Sequence, residues 1–95
     1  MKIQSKHKHN TLDIYRRRMK FSQKQVAHLL GHKDNSTWSD WERSDRLPSL
    51  ENALKLAIIL RTPVEFLFGA LHDELRDQIR TEEERLAQPT QQSLF

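Results

Sequence analysis

Residues 21–48 read FSQKQVAHLLG, then HKDN, then STWSDWERSDRLP, and the start and stop signals in this stretch leave room for little except two short helices joined by a polar turn. Ser22 is placed as N-cap, Gln25 stands at the capping-box position three residues on, and Phe21 is set to staple against Val26. Gly31 ends the run, because glycine adopts the left-handed conformation of a helix end at no steric cost. In the second helix, expected over about 35–44, Trp38 and Trp41 fall three apart. Ser36, Ser39, Asp40 and Arg43 then occupy the other faces, so the helix can bury its tryptophans while presenting small polar groups. A helix lying in a DNA groove needs that division of faces.

The rest of the chain is helical by the same criteria. Leu12, Tyr15 and Met19 recur at spacings of three and four over 11–20, with Arg16, Arg17 and Arg18 pointing in different directions. Over 23–30 the expected buried set is Val26, Ala27, Leu29 and Leu30. Ser49 caps a fourth helix whose Leu50, Ala53, Leu54, Ala57, Ile58 and Leu60 form an apolar face broad enough for a central position. Thr62, Pro63 and Glu65 then read as N-cap, first-turn proline and capping-box carboxylate of another helix. Its stripe of Phe68, Leu71, Leu75, Ile79 and Leu86 continues to about residue 87 unless Gly69 divides it. Ion pairs Asp73 with Arg76, Asp77 with Arg80, and Glu82 with Arg85 support its wet faces. No segment alternates with period two, so the chain is expected to be all-α. It divides into a flexible basic arm (1–9), a compact domain (10–68), a helical extension (69–87) and a disordered tail (88–95).

Composition narrows the function. At 95 residues there is room for one modest core. With no cysteine, neither disulfides nor thiolate metal sites are available, and His7 and His9 are too few to hold a metal. With two glycines there is no phosphate-cradling loop and no elbow to display a nucleophile. His28, His32, His72 and the Glu82, Glu83 pair read as surface residues, so the chain is not expected to be an enzyme or to carry a cofactor. No apolar run reaches membrane-spanning length and no signal-peptide pattern opens the chain, which points to the cytoplasm. The net charge of +3 hides an asymmetry: residues 1–46 carry 11 Lys and Arg against 5 Asp and Glu, and residues 47–95 carry 5 against 8. The basic half suits a polyanion. Lys6, Lys8 and the neighbouring histidines could extend that contact, or the arm could do nothing.

The order and spacing of FSQKQVAHLLG, the serine-rich helix ending in WER, the LPS step and NALKLAIILRTPVEFLF resemble the Cro and phage-repressor type of helix-turn-helix family, also called XRE-like. The resemblance covers about 12–68. It implies a compact five-helix lambda-repressor-like domain, here with an extended C-terminal helix, acting as a prokaryotic transcriptional regulator, a repressor by this likeness, on double-stranded DNA. By position it puts Gln23 against a phosphate at the start of the second helix. Asn35 and Ser36 face base edges, with Ser39 and Asp40 a turn on, and Lys33, Arg43 and Arg46 flank them as phosphate contacts. Cations then position the domain while short polar groups read bases. Arg16 and Glu42 match a family pair that forms a buried salt bridge between the first and third helices.

Three features depart from that pattern. The turn containing HKDN is one residue longer than the common spacing, Ser44 stands where a helix-ending glycine is usual, and Trp38 and Trp41 are larger than the aliphatic residues expected in the core. Trp38 therefore belongs either in the core or against DNA. Phe68, Leu71, Leu75 and Ile79 are the candidate contact of a homodimer, the competing account being a helix folded back over its own core. The terminal QQSLF resembles the pentapeptide by which bacterial replication and repair proteins hook onto the sliding clamp, although leucine is more usual at its second position. A second reading of the whole chain stays open: a protein-interaction module, either the antitoxin of a toxin-antitoxin pair or an adaptor docking through its acidic C-terminal helix and tail.

Overall fold

A computed structural model of the chain describes residues 9–88, and in these residues the architecture is six helices with no strand. The helices are α1 Leu12–Arg18, α2 Gln23–Leu30, α3 Ser36–Glu42, α4 Leu50–Leu60, α5 Val64–Leu67 and α6 Gly69–Leu86. Five short helices surround one core, and the sixth runs out from it. The proposed basic arm (1–9) and tail (88–95), including QQSLF, lie outside the described residues apart from His9 and Gln88.

Local chemistry sets the helix ends. Ser22 and Gln25 complete a reciprocal capping box, with Ser22 Oγ accepting from the Gln25 amide at 3.1 Å and the Ser22 amide donating to Gln25 Oε1 at 2.8 Å. Gly31, at φ 83°, closes α2 in the left-handed region. Ser49 caps α4 by accepting from the Asn52 amide at 3.2 Å. The expected Thr62 cap is not formed. Pro63 at ψ 147° is the N-cap of α5, and Thr62 Oγ1 instead donates to the Leu60 carbonyl at 2.9 Å, closing the end of α4. The helical stretch beyond residue 63, which Gly69 could divide, is split at that point. Phe68, at φ −122° and ψ 50°, ends α5, and Gly69 begins α6.

The core is built around Leu12, Val26, Leu30, Trp38, Trp41, Leu56, Leu60, Leu67 and Phe68. Trp38 is fully buried and meets Trp41 edge-on, with ring centroids 6.2 Å apart, so both tryptophans are core residues. Burying one such large apolar side chain contributes on the order of 1.5–3 kcal/mol. The first helix is fastened to the fifth at the Thr11 amide, which donates to the Leu67 carbonyl at 3.1 Å, and at Thr11 Oγ1, which donates to the Phe66 carbonyl at 2.9 Å. Chain ends distant in sequence are thereby closed into one domain.

Burial corrects the expected faces in three places. Leu29 is half exposed, because α2 is covered on the side of Val26, Ala27 and Leu30 only. In α4 the buried residues are Ala53, Leu56 and Leu60, while Leu50, Leu54 and Ile58 face outward along one ridge. An apolar face wider than the available neighbours leaves its edge in water. Phe68 is buried in the core, so the stripe open to a partner starts at Leu71. Finally, Asp77 lies 3.3 Å from Arg76, whereas Asp73 with Arg76 and Glu82 with Arg85 pair as their spacing suggests.

Candidate nucleic-acid interface

The third helix is held on the second by a polar network hidden behind its exposed face. At its centre is Glu42. The carboxylate takes a 2.6 Å hydrogen bond from Arg16 Nε, a 3.0 Å bond from Gln23 Nε2 and a further bond from the Trp38 indole N–H. Arg16 also donates from Nη1 to the Phe21 carbonyl at 2.9 Å. The Arg16 and Glu42 side chains are 10% and 11% exposed, so each charge has traded water for a specific partner. Desolvation offsets much of the attraction in such a pair, yet removing either member strands the other in a dry site.

Gln23 links this ion pair to the start of α3. Its Oε1 accepts from Asn35 Nδ2 at 2.7 Å and from Ser39 Oγ at 2.9 Å. Two of the four residues assigned to base edges are therefore donating inward, to a residue assigned to a phosphate. Asn35 keeps its Oδ1, and Gln23 keeps one amide hydrogen, for a ligand. The geometry makes both of them positioning residues for α3 as well as candidate contacts.

The turn ahead of α3 is capped from its own sequence. Asp34 Oδ1 accepts from the Ser36 amide at 3.0 Å and from Ser36 Oγ at 2.7 Å. The hydroxyl of Ser36 first, then its amide, holds the Asp34 carboxyl below its ordinary value of 3.8. Asn35, the formal N-cap, makes no side-chain cap bond, and its Nδ2 donates to Gln23 instead. His32, expected at the surface, is partly covered and packs edge-on against Trp41 with centroids 5.9 Å apart.

At 100° per residue, Trp38, Trp41 and Glu42 fall on the inner side of α3, and Ser36, Ser39, Asp40 and Arg43 fall on the outer side. The outer side is electrostatically mixed. Arg43 Nη2 lies 2.5 Å from Asp40 Oδ1 and its Nε donates to Asp45 Oδ2 at 2.9 Å, while Arg46 Nη1 is 3.6 Å from the other Asp40 oxygen. The Arg43 guanidinium is raised further above its ordinary range by Asp45 first and Asp40 after it. Both oxygens of Asp40 thus face arginines, so a cytosine amino group would have to compete for them. Lys33 stands exposed in the turn on the other side of the helix start.

Asn10 was not singled out from sequence, yet it organises the end of α3. Its Nδ2 donates to the Trp41 carbonyl at 2.7 Å and to Ser44 Oγ at 3.1 Å, and its Oδ1 accepts from the Leu12 amide at 3.0 Å. Ser44 is fully buried at φ 63°, the left-handed position usually given to glycine. Its hydroxyl compensates the strain by accepting the Asn10 amide. An asparagine two residues before a helix was the available signal; what it reaches across the fold was not legible.

Comparison with known families gives one match that spans these elements. A family model described as helix-turn-helix covers residues 12–67, from the first residue of α1 to the last of α5. No curated protein proved similar to the chain. Among the described residues no helix is long and apolar enough to cross a membrane.

Proposed function

The chain belongs to the helix-turn-helix family of the XRE/Cro type, a DNA-binding family, and from that premise we propose that it is a sequence-specific transcriptional regulator that occupies an operator with α3 in the major groove. The observation that carries this reading is the division of α3. Its inner side is locked to α1 and α2 through Glu42, Gln23 and Arg16, and its outer side offers Ser36, Ser39 and Asp40 between the cations Lys33, Arg43 and Arg46. A reading helix must be rigid with respect to the domain that grips the backbone, because a base contact is lost when its geometry drifts.

In this reading Gln23, Lys33, Arg43 and Arg46 meet phosphates and Ser36 and Asp40 read base edges, with Asn35 and Ser39 offering what the Gln23 bonds leave free. Asp40 acts against wrong bases, since its charge repels groups that cannot donate to it. Repression follows by steric occupation, and an intracellular location follows from the target. Seven residues of α3 span only a few base pairs, so useful affinity calls for two copies on two half-sites.

The reading is tested by titrating a labelled duplex across a range of salt. Binding should weaken linearly on logarithmic axes, and Arg46→Ala should lower the slope by about one, as expected when one phosphate contact is removed. A variant with unchanged affinity and slope would take Arg46 out of the interface.

A further inference from the structure

We propose that α6 is a pairing helix that docks antiparallel on α6 of a second copy of this chain, centred on Ile79, and so fixes the distance between two DNA-reading helices. The proposal rests on the two-copy reading above and supplies its geometry. No residue of α6 is buried, and its projection draws the molecule out to 56 Å along one axis against 21 Å along the shortest. Leu75, Ile79 and Leu86 are 47%, 59% and 66% exposed. With Leu71 they fall within an arc of about 80° at 100° per residue, a seam of coiled-coil width. At its root the seam opens into a groove lined by Val64, Glu65, Phe68, Leu71, His72 and Leu75.

The charges beside the seam select both the occupant and its direction. Arg76 and Glu83 lie along one flank, and Glu74 and Arg85 along the other. When two copies run antiparallel with Ile79 opposite the partner's Ile79, Arg76 comes level with the partner's Glu83 and Glu74 with the partner's Arg85, to within about one residue rise of 1.5 Å. Symmetry repeats both pairs. Leu75 then lies between the partner's Glu82 and the partner's Leu86, and Leu71 lies level with the partner's Leu86, which seats over the groove. In the single chain Arg76 leans toward Asp73 and Asp77, and Arg85 toward Glu82, so these side chains turn toward the seam on pairing.

Parallel pairing fails on a residue of the seam itself. It sets Glu82 against the partner's Glu82, whereas the antiparallel register sets Glu82 level with the partner's Arg76. With six acidic residues against three arginines in α6, an unspecific approach of two copies is repulsive, which leaves the matched register as the favourable one. In that register the two Gly69 positions stand about 30 Å apart along the helix axes.

Because the chain lacks cysteine, single cysteines report the register directly. Under mild oxidation without DNA, Ile79→Cys should give a covalent dimer and Leu75→Cys should not, while Leu71→Cys and Leu86→Cys should crosslink only when mixed. Self-crosslinking of Leu75→Cys as efficiently as Ile79→Cys would overturn the antiparallel arrangement. A protein that sediments as a monomer at micromolar concentration would overturn the pairing itself. As a second check, Glu83→Arg should weaken dimerisation by about tenfold, and Arg76→Glu in the same chain should restore it. Failure to restore would remove the charge argument. None of these readouts uses DNA, so failure of the pairing and failure of DNA binding are separately visible.

Discussion

Glu42 is the residue on which the interface depends most. It receives donors from α1, α2 and α3 at once, and it is the carboxylate that meets the buried Arg16 guanidinium, which also donates to the Phe21 carbonyl. Glu42→Ala should therefore cost roughly 3–5 kcal/mol, lowering the midpoint of thermal unfolding, because it strands a buried charge and frees Gln23 from one of its anchors. An unchanged midpoint would show that water replaces the carboxylate at no cost. The comparison with Asp40 is instructive. Asp40 also sits between two arginines, but Arg43 and Arg46 have side chains 59% and 65% exposed, so solvent screens the attraction and the pair contributes little to stability. Two carboxylates on one short helix thus differ in setting, one inside a buried network and one outside among solvated arginines.

Among the elements, capping signals were more legible than faces. The capping box at Ser22, the glycine stop at Gly31 and the Ser49 cap are local, and the bounds of α2 and the start of α4 follow from them. Faces depend on neighbours that sequence does not display. In α4, Leu54 and Leu56 are equally apolar and two residues apart, yet Leu56 is fully buried and Leu54 is 53% exposed. Leu56→Ala should cost about 2–5 kcal/mol and Leu54→Ala well under 1 kcal/mol, read from denaturant midpoints. Equal losses would mean that the Leu50, Leu54, Ile58 ridge is covered in solution. Similar reasoning explains Thr62: its hydroxyl had a carbonyl of α4 within reach and took it instead of capping α5. The inward bonds of Asn35 and Ser39 to Gln23 were likewise beyond the sequence, since they depend on how α3 crosses α2.

At the scale of the whole molecule, the basic front half and the acidic back half become two working parts. The domain closed by the contact between Thr11 and the end of α5 carries α3 and its flanking cations. Beyond it, α6 carries six of the eight acidic residues of the back half on a helix with no buried residue. The measurement that tests this account most directly is selection of bound duplexes from a random pool at two salt concentrations. The account predicts enrichment of a two-fold symmetric site with half-sites about one helical turn apart. The enrichment should vanish when Ser36 and Asp40 become alanine, because both stand on the outer side of α3 and neither bonds to the Arg16, Gln23 and Glu42 side chains that hold it. Retention without enrichment, collapsing as salt rises, would contradict reading by α3, and no retention at either salt would contradict DNA binding by this chain.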